Sequence, residues 1–175
     1  MWNNRYNMTR LFVPFTRILP PTQMVLKPYR YEPVEMRDEN SYLKYFQWRW
    51  HEGHPFLNCE HDSVFWHGAP EELMKCHEEW CAFGVNETDS FADGTTATLA
   101  LMKFGDEFIE KYPTLWDEMK TADVCWQHLP TWQWCDLWLQ HYMNEKGVVC
   151  HQHNPPIVNA NPVKTAMVIN SCEVL

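Results

Sequence analysis

Cysteine and histidine supply the only chemistry this chain advertises. Cys59-Glu60-His61 is followed by His77 and Cys81. If residues 70–84 form one helix, His77 and Cys81 stand a turn apart and aim at one point. Cys59 and His61, from the preceding loop, would then complete a two-cysteine, two-histidine set of the kind that holds a structural zinc ion. Cys76 lies five residues from Cys81, faces away on such a helix, and is set aside. Cys150, His151 and His153 form a second, smaller cluster. The bland alternative is a set of ordinary half-buried histidines, since nine in 175 residues make chance clusters easy. Seven cysteines are too many for a reducing compartment without a purpose and too odd for a closed disulfide framework. At least one is free, binds metal or pairs elsewhere.

Two local resemblances follow. Cys125 and Cys135 are a C-x9-C pair, which an unbroken helix would place nearly three turns apart on roughly one side, each able to bridge to a neighbouring helix. Their partners are not fixed by the sequence. Cys125-Trp126-Gln127 with Cys135 resembles the first C-x9-C helix of the coiled-coil-helix-coiled-coil-helix family, which includes cytochrome c oxidase subunit VIb. That resemblance implies import into the mitochondrial intermembrane space without a cleaved presequence, oxidation there, and an accessory place in a respiratory complex. Pro130 between the cysteines, and the lack of a second such pair, depart from the family pattern. Asn58-Cys59-Glu60-His61 resembles the Asn-Cys box of the lecithin-retinol acyltransferase family, which implies a nucleophilic Cys59. There the helper histidine lies far upstream on a strand, whereas His51 and His54 here sit one short loop away.

Other chemistries are excluded. His51-Glu52-Gly53-His54 lacks the spacing that puts two imidazoles on one helical face. Asp38-Glu39, Glu71-Glu72 and Glu78-Glu79 read as solvated or helix N-terminal charges. The chain has only six glycines and no phosphate-cradling loop. With a net charge of −9 and scattered basic residues, it offers no stripe for nucleic acid. No run approaches the ~20 apolar residues of a membrane-spanning helix.

The elements that must position these residues read as mostly helical. Asn40 or Ser41 caps a helix carrying Tyr42, Tyr45, Phe46 and Trp50 and stopped by Gly53. Pro70, with Glu71 and Glu72, opens a second, expected to run to Gly84. A third starts at Thr95 or Thr96, carries Ala97, Leu101, Phe104, Phe108 and Tyr112, and ends at Pro113, with Gly105 inside it as a mark of close contact. Thr114 and Asp117 start a fourth, and Trp134, Leu137, Trp138 and His141 continue an apolar face to Gly147. The expected fold is therefore mostly α, a small bundle of four to five helices over residues 38–147. Residues 1–37, with five prolines, would be an extended basic arm, and residues 148–175 an extended tail with a short strand at Met167–Ile169.

The first acidic residue is Glu32, while Arg5, Arg10, Arg17, Lys27 and Arg30 precede it. An acid-free, arginine-bearing, partly apolar start has the composition of a mitochondrial targeting segment. Ten tryptophans suit contacts with one wet side, as at subunit interfaces. The leading expectation is a non-catalytic accessory subunit of a large mitochondrial inner-membrane assembly, a respiratory-chain complex. Arg5, Arg10 and Arg17 would meet acidic partner subunits or lipid headgroups. Phe12, Phe15, Ile18, Leu19 and Tyr29 would dock in partner grooves. The alternatives are a zinc-stabilised protein-interaction module, viral in type, held by Cys59, His61, His77 and Cys81, and a small hydrolase or acyltransferase using Cys59. Apart from zinc, no cofactor is expected.

Overall fold

The computed structural model describes residues 9–38, 40–85, 99–121 and 131–160. The elements run β1 (Arg10–Phe15), α1 (Pro20–Leu26), β2 (Tyr31–Glu35), α2 (Ser41–Glu52), β3 (Phe56–Cys59), β4 (Ser63–Val64) and α3 (Ala69–Lys75). Then come β5 (Trp80–Val85), β6 (Leu101–Phe104), α4 (Asp106–Lys111), α5 (Leu115–Thr121), α6 (Thr131–Glu145) and β7 (His151–Asn159). The strands form one mixed seven-stranded sheet in the order β2-β1-β3-β6-β5-β7-β4. The expected all-helical bundle is thus wrong, and the fold is α/β with helices on both faces.

The error has a physical cause. Side chains alternate across a strand, and here both faces are covered. Phe56, Trp80, Ala82, Met102 and Phe104 enter one core beside residues of α2, α4, α5 and α6. Leu57, Cys59, Cys81, Phe83 and Leu101 enter a second core beside α1 and α3. A strand buried on both faces is a continuous apolar run, which periodicity alone does not separate from a buried helix. So Trp80–Val85, expected as the end of the second helix, is β5, and Leu101–Phe104, expected inside the third, is β6. Gly105 is the joint between β6 and α4. Its N–H donates to the Glu79 carbonyl at 2.6 Å, and a Cβ there would lie 3.0 Å from that oxygen. Gly105→Ala is therefore expected to cost about 1–3 kcal/mol as an overpacking change. Urea unfolding should show it as a lower midpoint at unchanged slope.

Residues 9–38 are not a detached arm. β1 lies between β2 and β3 and runs parallel to both. Pro14 is tolerated because β3 pairs only with Arg10–Phe12, and Pro33 because β2 borders only β1 among the described strands. The residues assigned to partner grooves turn inward because the chain's own sheet supplies the groove. Phe12 is fully buried against Phe56 and Tyr45. Ile18 and Tyr29 pack on the second core, and the Tyr29 hydroxyl accepts the Gly68 N–H at 2.7 Å. The Leu19 N–H donates to the His61 carbonyl, and Phe15 is half-buried. Arg10 pairs with Glu32 at 3.0 Å and Arg17 is exposed. Arg5 lies outside the described residues, as does Met167–Ile169.

Several helices match their sequence signals. α2 ends at Gly53, which adopts φ 66°, and α6 is followed by Gly147 at the same φ. Gln47, Trp50 and Trp138 hold the α5 region through bonds to the carbonyls of Trp116, Tyr112 and Leu115. Arg49 is buried, with its guanidinium 4.0 Å from the Phe12 ring centre and paired with Glu52. No helix among the described residues is long and apolar enough to cross a membrane.

Candidate metal centre

β7 is parallel to β5, with His151 opposite Cys81 and His153 opposite Phe83. Both imidazoles therefore share the face that carries α3, because residues two apart on a strand point the same way. α3 ends at Cys76, whose backbone is extended (φ −60°, ψ 136°) and whose N–H caps the helix through the Glu72 and Leu73 carbonyls. That early end delivers the Cys76 sulfur to the two histidines. Ligand atoms of Cys76, His151 and His153 all lie within 4.8 Å of one another, a group able to hold a metal ion.

Two neighbours shape the group. His153 Nδ1 is 2.9 Å from Glu72 Oε1, and its side chain is 10% exposed. An ionised carboxylate only accepts, so in the neutral imidazole the tautomer with its hydrogen on Nδ1 fits this contact and leaves a lone pair on Nε2. That Nε2 is buried and has no hydrogen-bond partner among the described residues. A carboxylate on one imidazole nitrogen and an unsatisfied second nitrogen are what a metal-binding histidine presents. Lys103, on β6, is 7% exposed and donates to the carbonyls of Cys76 at 2.8 Å and Glu78 at 2.9 Å. It pins the loop that carries Cys76. Beside this group a surface pocket of about 560 Å³ is lined by His67, Gly68, Glu71, Glu72, Lys75 and Cys76.

The donor set is one thiolate and two imidazoles, which suits zinc or copper and not the oxygen-seeking calcium or magnesium. Glu72→Ala should lower metal affinity about 10- to 100-fold, as loss of an orienting carboxylate typically does. A chelator competition titration reads that change directly.

The zinc set expected from sequence is not assembled. Cys59 is on β3 and Cys81 on β5, with β6 between them, so two strand spacings of about 4.8 Å separate their backbones. One ion bonds thiolates at about 2.3 Å. His77 lies beyond the end of α3 and is exposed, so it does not share a helical face with Cys81. Of that set, Cys81, opposite His151 across β5 and β7, and His77, next in sequence to Cys76, lie near the observed group, and neither is part of it. Cys59 is fully buried, and burial pushes its thiol up, followed by the nearby Glu60 and Asp62 carboxylates. It supplies no thiolate nucleophile near neutral pH. Of the proposed disulfide residues, Cys135 is buried within α6 against the first core, and Cys125 lies outside the described residues. Cys59, Cys76, Cys81 and Cys150 are free thiols.

The sequence did carry a signal for the observed site. His151-x-His153 in a segment expected to be extended places two imidazoles on one face. The fold and site define a three-layer α/β protein with a cysteine-histidine group, able to hold a metal ion, that joins a helix end to a strand. No protein-family model, curated protein or solved structure matches the chain.

Proposed function

We propose that this protein is a zinc-stabilised, non-catalytic module in which one ion, held by Cys76, His151 and His153, fastens β7 to the loop between α3 and β5. The observation that carries the reading is His153: its Nδ1 is on Glu72, its Nε2 is buried with no hydrogen-bond partner among the described residues, and one of its ring nitrogens converges with ligand atoms of Cys76 and His151. Burying a polar atom without a partner costs free energy, and a metal bond relieves it.

The location supports a structural role for the ion. β7 has β5 on one side and only the two-residue β4 on the other, and its pairing with β5 is irregular between Phe83 and Val85. A bond from residue 76 to residues 151 and 153 closes a loop of more than seventy residues. Such a cross-link reduces the conformational freedom of the unfolded chain.

The mitochondrial accessory-subunit reading loses one support. The apolar side chains between Leu11 and Tyr29 are largely used by the chain's own sheet. Its other support, the acid-free start, is unchanged.

Metal analysis of the purified chain, with titration by zinc and by copper, tests the proposal. About one zinc per chain at the Cys76 group, with a fall in thermal midpoint on chelation, is expected. Preferential copper binding with an intense thiolate-to-copper colour would replace zinc with an electron-transfer metal.

A further inference from the structure

The proposed ion has one coordination position left over. Zinc in proteins is usually four-coordinate, and the described residues bring together three ligands, Cys76, His151 and His153. With one thiolate and two neutral imidazoles, the ion keeps a single net positive charge. Cys76 also lines the surface pocket of about 560 Å³, and so does Glu72, whose carboxylate meets His153. The pocket therefore opens on the group, and its volume falls in the ~300–1,000 Å³ range of small-molecule sites.

Charge is ordered along the wall of this pocket. Gly68, Glu71, Glu72, Lys75 and Cys76 recur at steps of three and four residues, so they make up one flank of α3 and its two ends. At the Cys76 end stand the ion and Lys75, both positive. Five residues back, about 7.5 Å along the helix axis, stands Glu71. Its Oε2 is buried and has no hydrogen-bond partner among the described residues. Glu72 is engaged by His153, so Glu71 is the carboxylate on this wall with an oxygen still lacking a donor. Beyond it the pocket is open, since a Cβ at Gly68 would meet nothing within 4 Å.

We propose that the fourth position binds a small zwitterion lying along this flank, with its carboxylate on the metal beside Lys75 and its ammonium on Glu71. The proposal rests on the zinc reading above and gives that site a ligand. A carboxylate oxygen is an ordinary zinc donor, and it cancels the charge left on the ion. An ammonium supplies Glu71 with a charge-assisted hydrogen bond. The spacing selects the class. In an α-amino acid the two charged ends sit on one carbon, too close to reach both places, whereas an ω-amino carboxylate of about five carbons spans the ~7.5 Å between them.

The test loads the full chain with cobalt(II) in place of zinc, because the visible bands of tetrahedral cobalt change when its fourth ligand changes. 5-Aminovalerate, valerate and pentylamine are titrated in turn. 5-Aminovalerate should shift the bands and half-saturate at about a tenfold lower concentration than valerate, the fold-change that one hydrogen bond to a charged group supplies. Pentylamine, which has no metal donor, should leave the spectrum unchanged. Glu71→Gln should bring 5-aminovalerate and valerate to within about twofold of each other. Valerate binding as tightly as 5-aminovalerate to the unsubstituted chain overturns the proposal, and that comparison does not depend on the variant folding. One cobalt per chain with no response to either carboxylate also overturns it, and leaves the zinc reading standing. A chain that takes up neither zinc nor cobalt defeats the zinc reading, and the zwitterion site falls with it.

Discussion

His153→Ala should reduce bound zinc from about one ion per chain to below about a tenth, since a three-ligand site cannot hold zinc tightly with two. Stability should fall with it. An ion present at a hundredfold excess over its dissociation constant adds about 2.7 kcal/mol to the folded state. For a chain of this length that corresponds to a thermal midpoint lowered by about 5–10 °C in zinc buffer. In the presence of a chelator the two proteins should differ much less, because the unsubstituted chain has then lost its ion as well. His54→Ala, on an exposed loop between α2 and β3, is the control and should change neither quantity. A midpoint difference equally large with and without chelator would mean that His153 contributes packing against Phe83, whose ring centre is 5.1 Å away, and not metal binding.

Phe46→Ala should be the most damaging single change away from the metal. Phe46 is fully buried, stacks on Trp116 at 4.4 Å and meets Tyr42 and Phe104 edge-on. Its ring joins α2 to both the sheet and α5. Truncating a buried phenylalanine costs about 3–5 kcal/mol, the lost transfer energy plus the cavity left behind. Against a typical total of about 5–15 kcal/mol, much of the folded population would be lost at physiological temperature. The measurement is equilibrium urea unfolding by tryptophan fluorescence. A cost under about 1 kcal/mol would show that α2 does not depend on this contact.

How much of this was legible in the residues depended on burial. α2 was readable from Asn40 to Gly53 because one of its faces meets solvent, leaving a helical period, and because glycine marks its left-handed end. The same holds for α6 up to Gly147. β5 and β6 were misread because neither face is wet. Trp80-Cys81-Ala82-Phe83 has no polar residue to set its period, and Lys103, the one charge in β6, is itself buried by hydrogen bonds to loop carbonyls. β1 was misread because Pro14 and the absence of acids resembled an unstructured arm, whereas the strand simply outlasts its pairing with β3 before the proline.

The site was half-visible for the same reason. Choosing His77 and Cys81 followed from extending a helix to Gly84, and that extension also rotated Cys76 out of consideration. Once α3 stops at Lys75, Cys76 becomes the residue that reaches β7. Of the smaller expected cluster, Cys150 lies in the first core, and the pair His151 and His153 belongs to the converging group. Only its partner, 75 residues upstream, required the sheet order that sets β7 beside β5.

X-ray absorption at the zinc edge of the reduced, purified chain tests the metal centre most directly. The proposed centre predicts one sulfur at about 2.3 Å and two imidazole nitrogens at about 2.0–2.1 Å, with the fourth position taken by a light atom. A protein that purifies and titrates without zinc, or a spectrum that demands two sulfurs, would contradict it.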